Sequence, residues 1–431
     1  MNYQEVLDYM YARLPMFHRI GPAAYKANLD NAIALCNLLG NPQNKFSSIH
    51  IAGTNGKGSV AHILASILLN TGLRIGLYTS PHLRDFRERI RVNGKKISKS
   101  YVNAFTNKYL NDFEMIKPSF FEMTVGLAFQ YFKDQQVDIA VIETGLGGRL
   151  DSTNIITPVL SVITNVSFDH MQLLGNTLEK IATEKAGIIK PGIPVIIGET
   201  QEEIRNVFSR KAQKCKSAIT FADEVFSAGN IRMAGNHCRN LVMDVFCNGE
   251  LFIRHLSSSL RGLYQVKNIN TVMAACNVLN DSGFSISPEN IRTGIRDVVR
   301  QTGLSGRWQI LSRKPLTICD TGHNEGGLKE VLKQIEITPH DHLHFVFGVV
   351  NDKPVDKILK LLPRHAIYYF CKANIPRGLD EGKLALAARK SGLTGNSYTS
   401  VKSALNAARE KAAASDMIFI GGSTFIVAEV V

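Results

Sequence analysis

Short apolar runs alternate with amphipathic stretches along most of this chain. The runs at Ser48–Ile51, Arg74–Thr79, Val137–Glu143, Val159–Thr164 and Pro194–Gly198 have the length and apolar content of buried strands. Val60, Ile63, Leu64, Ile67 and Leu68 recur at helical spacing directly after the glycine-rich segment 53–59, and a second helical pattern covers Leu178–Ile189. Strands separated by helices predict a parallel sheet with crossover helices.

The pattern changes over residues 215–260, where β-like pieces such as Leu241–Cys247 predict an antiparallel elaboration. Lys267–Asp281 reads as a helix, with Gly283 as its stop signal. Near Asp297–Arg307 the periodicity breaks, and Gly303, Ser305 and Gly306 mark a linker or turn. Alternation then restarts. Strands are predicted at Leu316–Asp320, Leu343–Val350, Ala366–Cys371 and Met417–Ile420, with helices at Gly327–Ile335, Val355–Leu362, Gly382–Ser391 and Val401–Ala414. The expected fold class is α/β: a large P-loop-type parallel-sheet domain over residues 1–300, then a smaller Rossmann-like domain over residues 301–431.

Length supports that division, since 431 residues suit two or three domains at ~100–200 residues each. The formal net charge of +13 suggests an anionic partner. No block of five or more consecutive Lys or Arg and no basic–aromatic interleaving is present, so nucleic acid is not the expected partner. The seven cysteines are scattered with no CxxC pair, as expected of reduced, small core residues in a cytoplasmic protein. The polar N-terminus is no signal peptide, and no apolar run approaches the ~18–20 residues of a membrane span. A soluble, monomeric protein acting on small molecules is expected.

The segment Gly53-Thr54-Asn55-Gly56-Lys57-Gly58-Ser59, between a strand and a helix, carries the strongest chemistry. Such a turn lets backbone N–H groups converge on phosphate oxygens, with Lys57 reaching the terminal phosphates and Ser59 offering a hydroxyl to Mg²⁺. Gly58 stands where the general pattern has Ser or Thr, which moves the hydroxyl to Ser59. Glu143 ends one strand and Asp169-His170 follows the next, while Lys185 lies in ATEKAGIIKPG. Carboxyl ends of parallel strands are where ligands bind, so Glu143 and His170 could approach a metal at the loop. Read singly, Glu143 is a solvated strand end, His170 and Arg307 are turn residues, and Phe120 and Phe121 are core.

Taken together the motifs are more specific. GTNGKGS, YTSPHL at 78–83, FFE at 120–122, ETGLGGRLDSTN at 143–154, FDH at 168–170, EKAGIIKPG at 184–192, GRWQ at 306–309, DTGHN at 320–324 and GGS at 421–423 occur in order. In this the chain resembles the folylpolyglutamate synthase and dihydrofolate synthase family of the Mur ligase superfamily. The resemblance implies an ATP-binding first domain and a C-terminal ligase domain. It implies an ATP-dependent ligase that adds L-glutamate to folates, to dihydropteroate, or to both, through an acyl phosphate. Asn55, Gly56, Lys57, Gly58, Ser59, Asn268, Arg307 and Asp320 match ATP positions. Ser59, Ser80, Glu143 and His170 match Mg²⁺ positions, and Lys57, Lys185 and His170 match catalytic ones. Lys185 matches a lysine that the family carboxylates to N6-carboxylysine. Lys26–Leu29, Phe120–Met123 (Phe120, Phe121, Glu122) and Leu150–Ser152 (Leu150, Asp151, Ser152) match regions contacting the pterin-bearing substrate, and His323 and Ser423 match glutamate-binding positions. The site is expected in a cleft between the domains. Two rivals are a Mur-type ligase acting on a peptidoglycan precursor and a P-loop switch acting on nucleic acid.

Overall fold

The computed structural model describes residues 1–15, 28–234, 240–351 and 355–431. Lys26 and Ala27, from the first expected substrate segment, lie outside the described residues. The chain divides into two compact units. One is Met1–Arg232 with Val242–Ser259 and Gln265–Gly303; the other is Leu304–Val431 with Met233–Leu241 and Leu260–Tyr264.

In the first unit the strands are β1 (Ser47–Ala52), β2 (Ile75–Tyr78), β3 (Ile90–Val92), β4 (Lys95–Lys96), β5 (Ile139–Glu143), β6 (Leu160–Ile163), β7 (Val195–Ile197) and β8 (Ile219–Phe221). They form one eight-stranded sheet in the order β4-β3-β2-β5-β1-β6-β7-β8. Pairs from β2 to β8 are parallel, whereas β3 and β4 fold back antiparallel. Apart from Ser47 the central strands are buried, which is why they read as apolar runs rather than alternating ones. Residues Phe226–Ala234 (β9), Asn240–Cys247 (β10) and Glu250–Ser258 (β11) make a separate three-stranded sheet in the order β11-β10-β9. Asn248 and Gly249, with φ of 50° and 82°, supply the positive-φ turn between β10 and β11.

The Lys57–Leu69 helix is buried on all sides from Ser59 to Leu68. One neighbour is the Pro288–Thr302 helix, which approaches closely because Gly294 has no side chain: a Cβ there would lie 2.5 Å from Ile67 Cα. Ser66 Oγ is 2.7 Å from the Gly294 carbonyl at the same contact. Gly294→Val should force these helices apart and cost about 3 kcal/mol or more. A urea midpoint equal to that of the parent chain would refute this close-packing account.

The break expected near Asp297–Arg307 begins only after Thr302. Ile291, Ile295 and Val298 continue one buried helical stripe, and the helix ends at Gly303 with φ of 68°. Asp297 sits on the outer face, 3.1 Å from Arg296 and 2.9 Å from Arg300. That cluster of charges is a solvated helix face, not a breaker.

In the second unit β12 (Gln309–Arg313), β13 (Leu316–Cys319), β14 (Leu343–Phe347), β15 (Ile367–Cys371), β16 (Gly395–Tyr398) and β17 (Met417–Gly421) form a six-stranded sheet ordered β12-β13-β17-β14-β15-β16. All pairs are parallel except β12 with β13. The edge strands β12 and β16 are mostly half-buried or exposed and carry no apolar run. No helix among the described residues is long and apolar enough to cross a membrane.

Candidate active site

In the first sheet β1 lies between β5 and β6, with Ile51 paired to Glu143 and Ala52 to Ile163. The segments leaving these three carboxyl ends are therefore neighbours. The segment after β1 needs its glycines. Gly53 has φ of 143° and a Cβ there would meet Thr164 Oγ1 at 1.9 Å, and Gly56 has φ of 86° with Asn268 Oδ1 at 2.3 Å from its Cβ position.

The loop is tied to the segment after β6. Thr54 N–H donates to the Asn165 carbonyl at 2.8 Å, and Asn55 N–H donates to Asn165 Oδ1 at 3.0 Å. The Thr164 hydroxyl donates to the Asn55 carbonyl at 2.6 Å, and Ser167 N–H donates to Thr54 Oγ1 at 3.0 Å. The helix then starts at Lys57, so its first amides face out of the helix end with no carbonyl one turn earlier to accept them. A pinned turn followed by open amides suits an anion.

Two lysines converge on this loop. Lys57 Nζ donates to the Gly53 and Thr54 carbonyls at 3.0 and 3.1 Å. Lys185 Nζ, from the last turn of the Leu178–Ala186 helix, donates to the same Gly53 carbonyl at 2.8 Å. Lys185 is only 3% exposed. Burial, and then the neighbouring Lys57 charge, push its amine down to about 7. Much of it is therefore a neutral nucleophile near neutral pH.

Glu143, at the end of β5, is 4% exposed, and its Oε2 accepts the Ser80 N–H at 3.2 Å. β2 lies beside β5 with Tyr78 paired to Ile142, which brings Ser80 to that carboxylate. Ser59 is 1% exposed on the first turn of the loop's helix. His170 caps the Met171–Leu174 helix in a left-handed conformation with φ of 49°, and its Nε2 is 3.9 Å from Asp169 Oδ1. Among the described residues no group of three His, Cys, Asp or Glu converges as a metal cage. One buried carboxylate with two serine hydroxyls is nevertheless the donor set that suits Mg²⁺, which takes few protein ligands and fills its shell with phosphate and water oxygens. The residues present fit such an ion.

The segments expected to contact the pterin-bearing substrate divide by burial. Phe121, Leu150 and Ser152 are half-buried and can offer surface. Phe120 and Glu122 are each 3% exposed. Phe120 stacks on Tyr11 at 5.6 Å and lies 5.2 Å from the Arg89 guanidinium. Glu122 caps its own helix, accepting the Ser119 N–H at 2.6 Å. Asp151, also 3% exposed, accepts the Gly145 and Leu146 N–H groups on one oxygen and the Thr153 N–H and hydroxyl on the other. Its acceptor positions are filled from within. These three side chains are buried and bonded within the protein, whereas Phe121, Leu150 and Ser152 carry the exposed part of these segments.

In the second unit Asp320 follows β13 and Ser423 follows the adjacent β17. Asp320 is buried, accepting Tyr264 O–H at 2.5 Å, Trp308 N–H at 2.7 Å and Gly322 N–H at 2.8 Å. Burial raises its pKa, and those donors together with the Arg307 charge work against that. Arg307 donates to the Thr321 hydroxyl. His323 Nδ1 lies 3.0 Å from the Thr321 carbonyl. Ser423 caps the Thr424–Ala428 helix, its Oγ accepting the Phe425 N–H at 3.2 Å. The structure thus brings Asp320, Arg307 and His323 to one turn.

Gln265, Asn165 and Tyr264 escaped the sequence reading. They reach site residues through hydrogen bonds, Gln265 to Ser59 and Asn268, Asn165 to Asn55 and Tyr264 to Asp320, and no spacing or residue type announces that. An asparagine just after a strand end was the one available signal, for Asn165.

Residues 51–276 match the Mur ligase middle domain, and residues 306–424 match the Mur ligase glutamate ligase domain. The chain is 33% identical over 394 residues to a dihydrofolate synthase/folylpolyglutamate synthase of Bacillus subtilis, covering 87% of this chain and 86% of that one. It is 31% identical over 439 residues to a probable bifunctional folylpolyglutamate synthase/dihydropteroate synthase of Haloferax volcanii, where it spans all of this chain and 50% of that protein's length. A bifunctional folylpolyglutamate synthase/dihydrofolate synthase solved with Mn, AMPPNP and L-glutamate superposes with a TM-score of 0.83 at 26% identity, covering 100% of this chain and 97% of that one. With a family model over more than half its length and a relative at 33% identity over 87% of this chain, the chain belongs to the folylpolyglutamate synthase/dihydrofolate synthase family of Mur ligases.

Proposed function

We propose that this chain is an ATP-dependent carbon–nitrogen ligase that joins L-glutamate to folates, to dihydropteroate, or to both. The observation that carries the reading is the loop at 53–59, where Lys57 and the buried Lys185 meet on one carbonyl beside open helix amides. The solved relative with AMPPNP and L-glutamate supports the choice of nucleotide and amino acid.

The substrate carboxylate attacks the γ-phosphoryl group and ADP leaves, giving an acyl phosphate. The α-amine of glutamate then attacks the acyl carbon and phosphate departs. The chain's contribution is positioning and electrostatic stabilisation, so no protein nucleophile is required. The amides of Gly56, Lys57, Gly58 and Ser59 and the Lys57 ammonium hold the transferring phosphate. Ser59, Ser80, Glu143 and His170 would hold Mg²⁺, which when bound neutralises phosphate charge. Asn55, Asn268, Arg307 and Asp320 serve the nucleotide, while His323 and Ser423 serve the incoming glutamate. Lys185 as its neutral amine takes up CO₂ to form N6-carboxylysine, an anionic oxygen donor. The partners are small molecules, with the protein a cytoplasmic monomer.

The test is a paired assay of phosphate release with ATP and L-glutamate. Dihydropteroate, a reduced folate monoglutamate and a UDP-muramyl precursor are supplied in separate arms. Glutamate-dependent release is expected with one or both pterin substrates and at least ~100-fold less with the muramyl precursor, a difference of about 3 kcal/mol in transition-state binding. Release with the muramyl arm alone would overturn the reading in favour of a peptidoglycan ligase.

A further inference from the structure

One fully buried polar side chain at the loop has no part in the roles assigned above. Gln265 opens the Gln265–Asp281 helix and is 0% exposed. Its Nε2 donates to Ser59 Oγ at 3.1 Å. Its Oε1 accepts from Asn268 Nδ2 at 2.8 Å, one helical turn later. Asn268 in turn lies against the loop glycine, with its Oδ1 2.3 Å from where a Gly56 Cβ would be. The chain Gly56–Asn268–Gln265–Ser59 therefore runs from the loop's turn to its hydroxyl.

A buried amide is costly unless its donors and acceptor are used, and a glutamine confined this way has a reason to be polar. Packing alone would favour Leu or Met at a fully buried position. The hydroxyl it holds is itself 1% exposed and could otherwise rotate about its side-chain bond. An amide N–H on one lone pair of Ser59 Oγ leaves the other lone pair in a fixed direction.

We infer that Gln265 is a positioning residue for the metal site: it orients the Ser59 hydroxyl, and Asn268 fixes the amide that does so. The inference rests on the reading of Ser59 as a metal-facing hydroxyl. Groups that orient a metal's ligands by hydrogen bonding alter metal affinity when removed, typically by 10–100-fold. Gln265 touches neither substrate nor phosphate in this account.

The test measures Mn²⁺ binding to the AMPPNP-loaded full-length protein by electron paramagnetic resonance. AMPPNP binding in EDTA and the thermal midpoint are measured alongside. Gln265→Met keeps most of the volume and removes both hydrogen bonds. It should weaken Mn²⁺ binding about 10-fold or more, while metal-free AMPPNP affinity stays within about 3-fold. A merely structural role would lower both together. Ser59→Ala should weaken Mn²⁺ binding comparably, and adding Gln265→Met to it should cause no further loss, because both act through one hydroxyl. Should Gln265→Met not fold, Gln265→Leu is measured in the same two assays.

Parent-like Mn²⁺ affinity in the Gln265 variant, or losses that multiply in the double variant, would overturn the inference while leaving the nucleotide-loop reading intact. Parent-like Mn²⁺ affinity in Ser59→Ala would instead remove the metal-facing role of Ser59 on which the inference stands.

Discussion

Replacing Lys57 with alanine should lower ATP turnover by about 10³-fold and leave the chain folded. The proposed reaction moves a phosphoryl group whose charge is met by preorganised donors, so an ammonium at the terminal phosphates stabilises the transition state more than the ground state. The loss should appear in kcat as well as in kcat/KM. Stability should change little. Lys57 is half-buried, and of the two carbonyls it bonds, Gly53 keeps the Lys185 amine as a donor. Losing the Thr54 contact costs on the order of 1 kcal/mol. Glutamate-dependent phosphate release, ATP titration and a thermal melt check the three expectations. A variant turning over at the parent rate would remove the phosphate role from Lys57.

The second large effect is at Lys185, and it has two opposite signs. Lys185→Ala should lose at least about 100-fold in activity, because no amine remains to take up CO₂. Acetate or another short carboxylate should restore part of it by supplying an anionic oxygen in the vacated space. An alanine variant that is active without any such addition would exclude the carbamate. Lys185→Met should be equally inactive yet more stable. The buried amine is held down to about 7, whereas an unfolded lysine titrates at its ordinary value of 10.5. Between those two values the unfolded chain binds a proton that the folded chain does not, so stability contributed by this group rises as pH rises through the window. Below it, the folded state carries a desolvated charge. Methionine removes that penalty, and Gly53 keeps Lys57 as its donor. In CO₂-free buffer Lys185→Met should melt several degrees above the parent at pH 7 and lack its rise in stability toward pH 10. An unchanged pH slope would show that Lys185 is not the buried neutral amine.

Those two lysines also show what the sequence could and could not disclose. The α/β class was legible because the parallel strands are buried on both faces and read as plain apolar runs, as in Val137–Glu143 and Met417–Ile420. The phosphate loop was legible because turn, amide convergence and lysine are packed into seven consecutive residues. The edge strands β12 and β16 stayed hidden because half-exposed residues carry no period. The Pro288–Thr302 helix is absent from the predicted elements because charged residues on its outer face interrupt the apolar spacing of Ile291, Ile295 and Val298. Within the site, residue type indicated Lys57, Glu143 and His170. It could not show that Asp151 accepts backbone amides of its own loop and Glu122 the amide that caps its own helix. Nor could it show that a glutamine at 265 would reach Ser59 from a helix beginning 206 residues later. Such contacts join distant segments, and only the folded chain brings them together.

The Gly53 carbonyl, shared by the Lys57 ammonium and the Lys185 amine, acts as a thermodynamic junction. Any event that draws Lys57 toward an arriving phosphate removes one of the two influences that keep Lys185 neutral. By reciprocity, any charge placed on Lys185 changes how readily Lys57 leaves. On the proposed function, nucleotide occupancy and the chemical state of the buried amine are therefore linked through two charges that meet at a single carbonyl oxygen, and the linkage needs neither a hinge nor a change of fold.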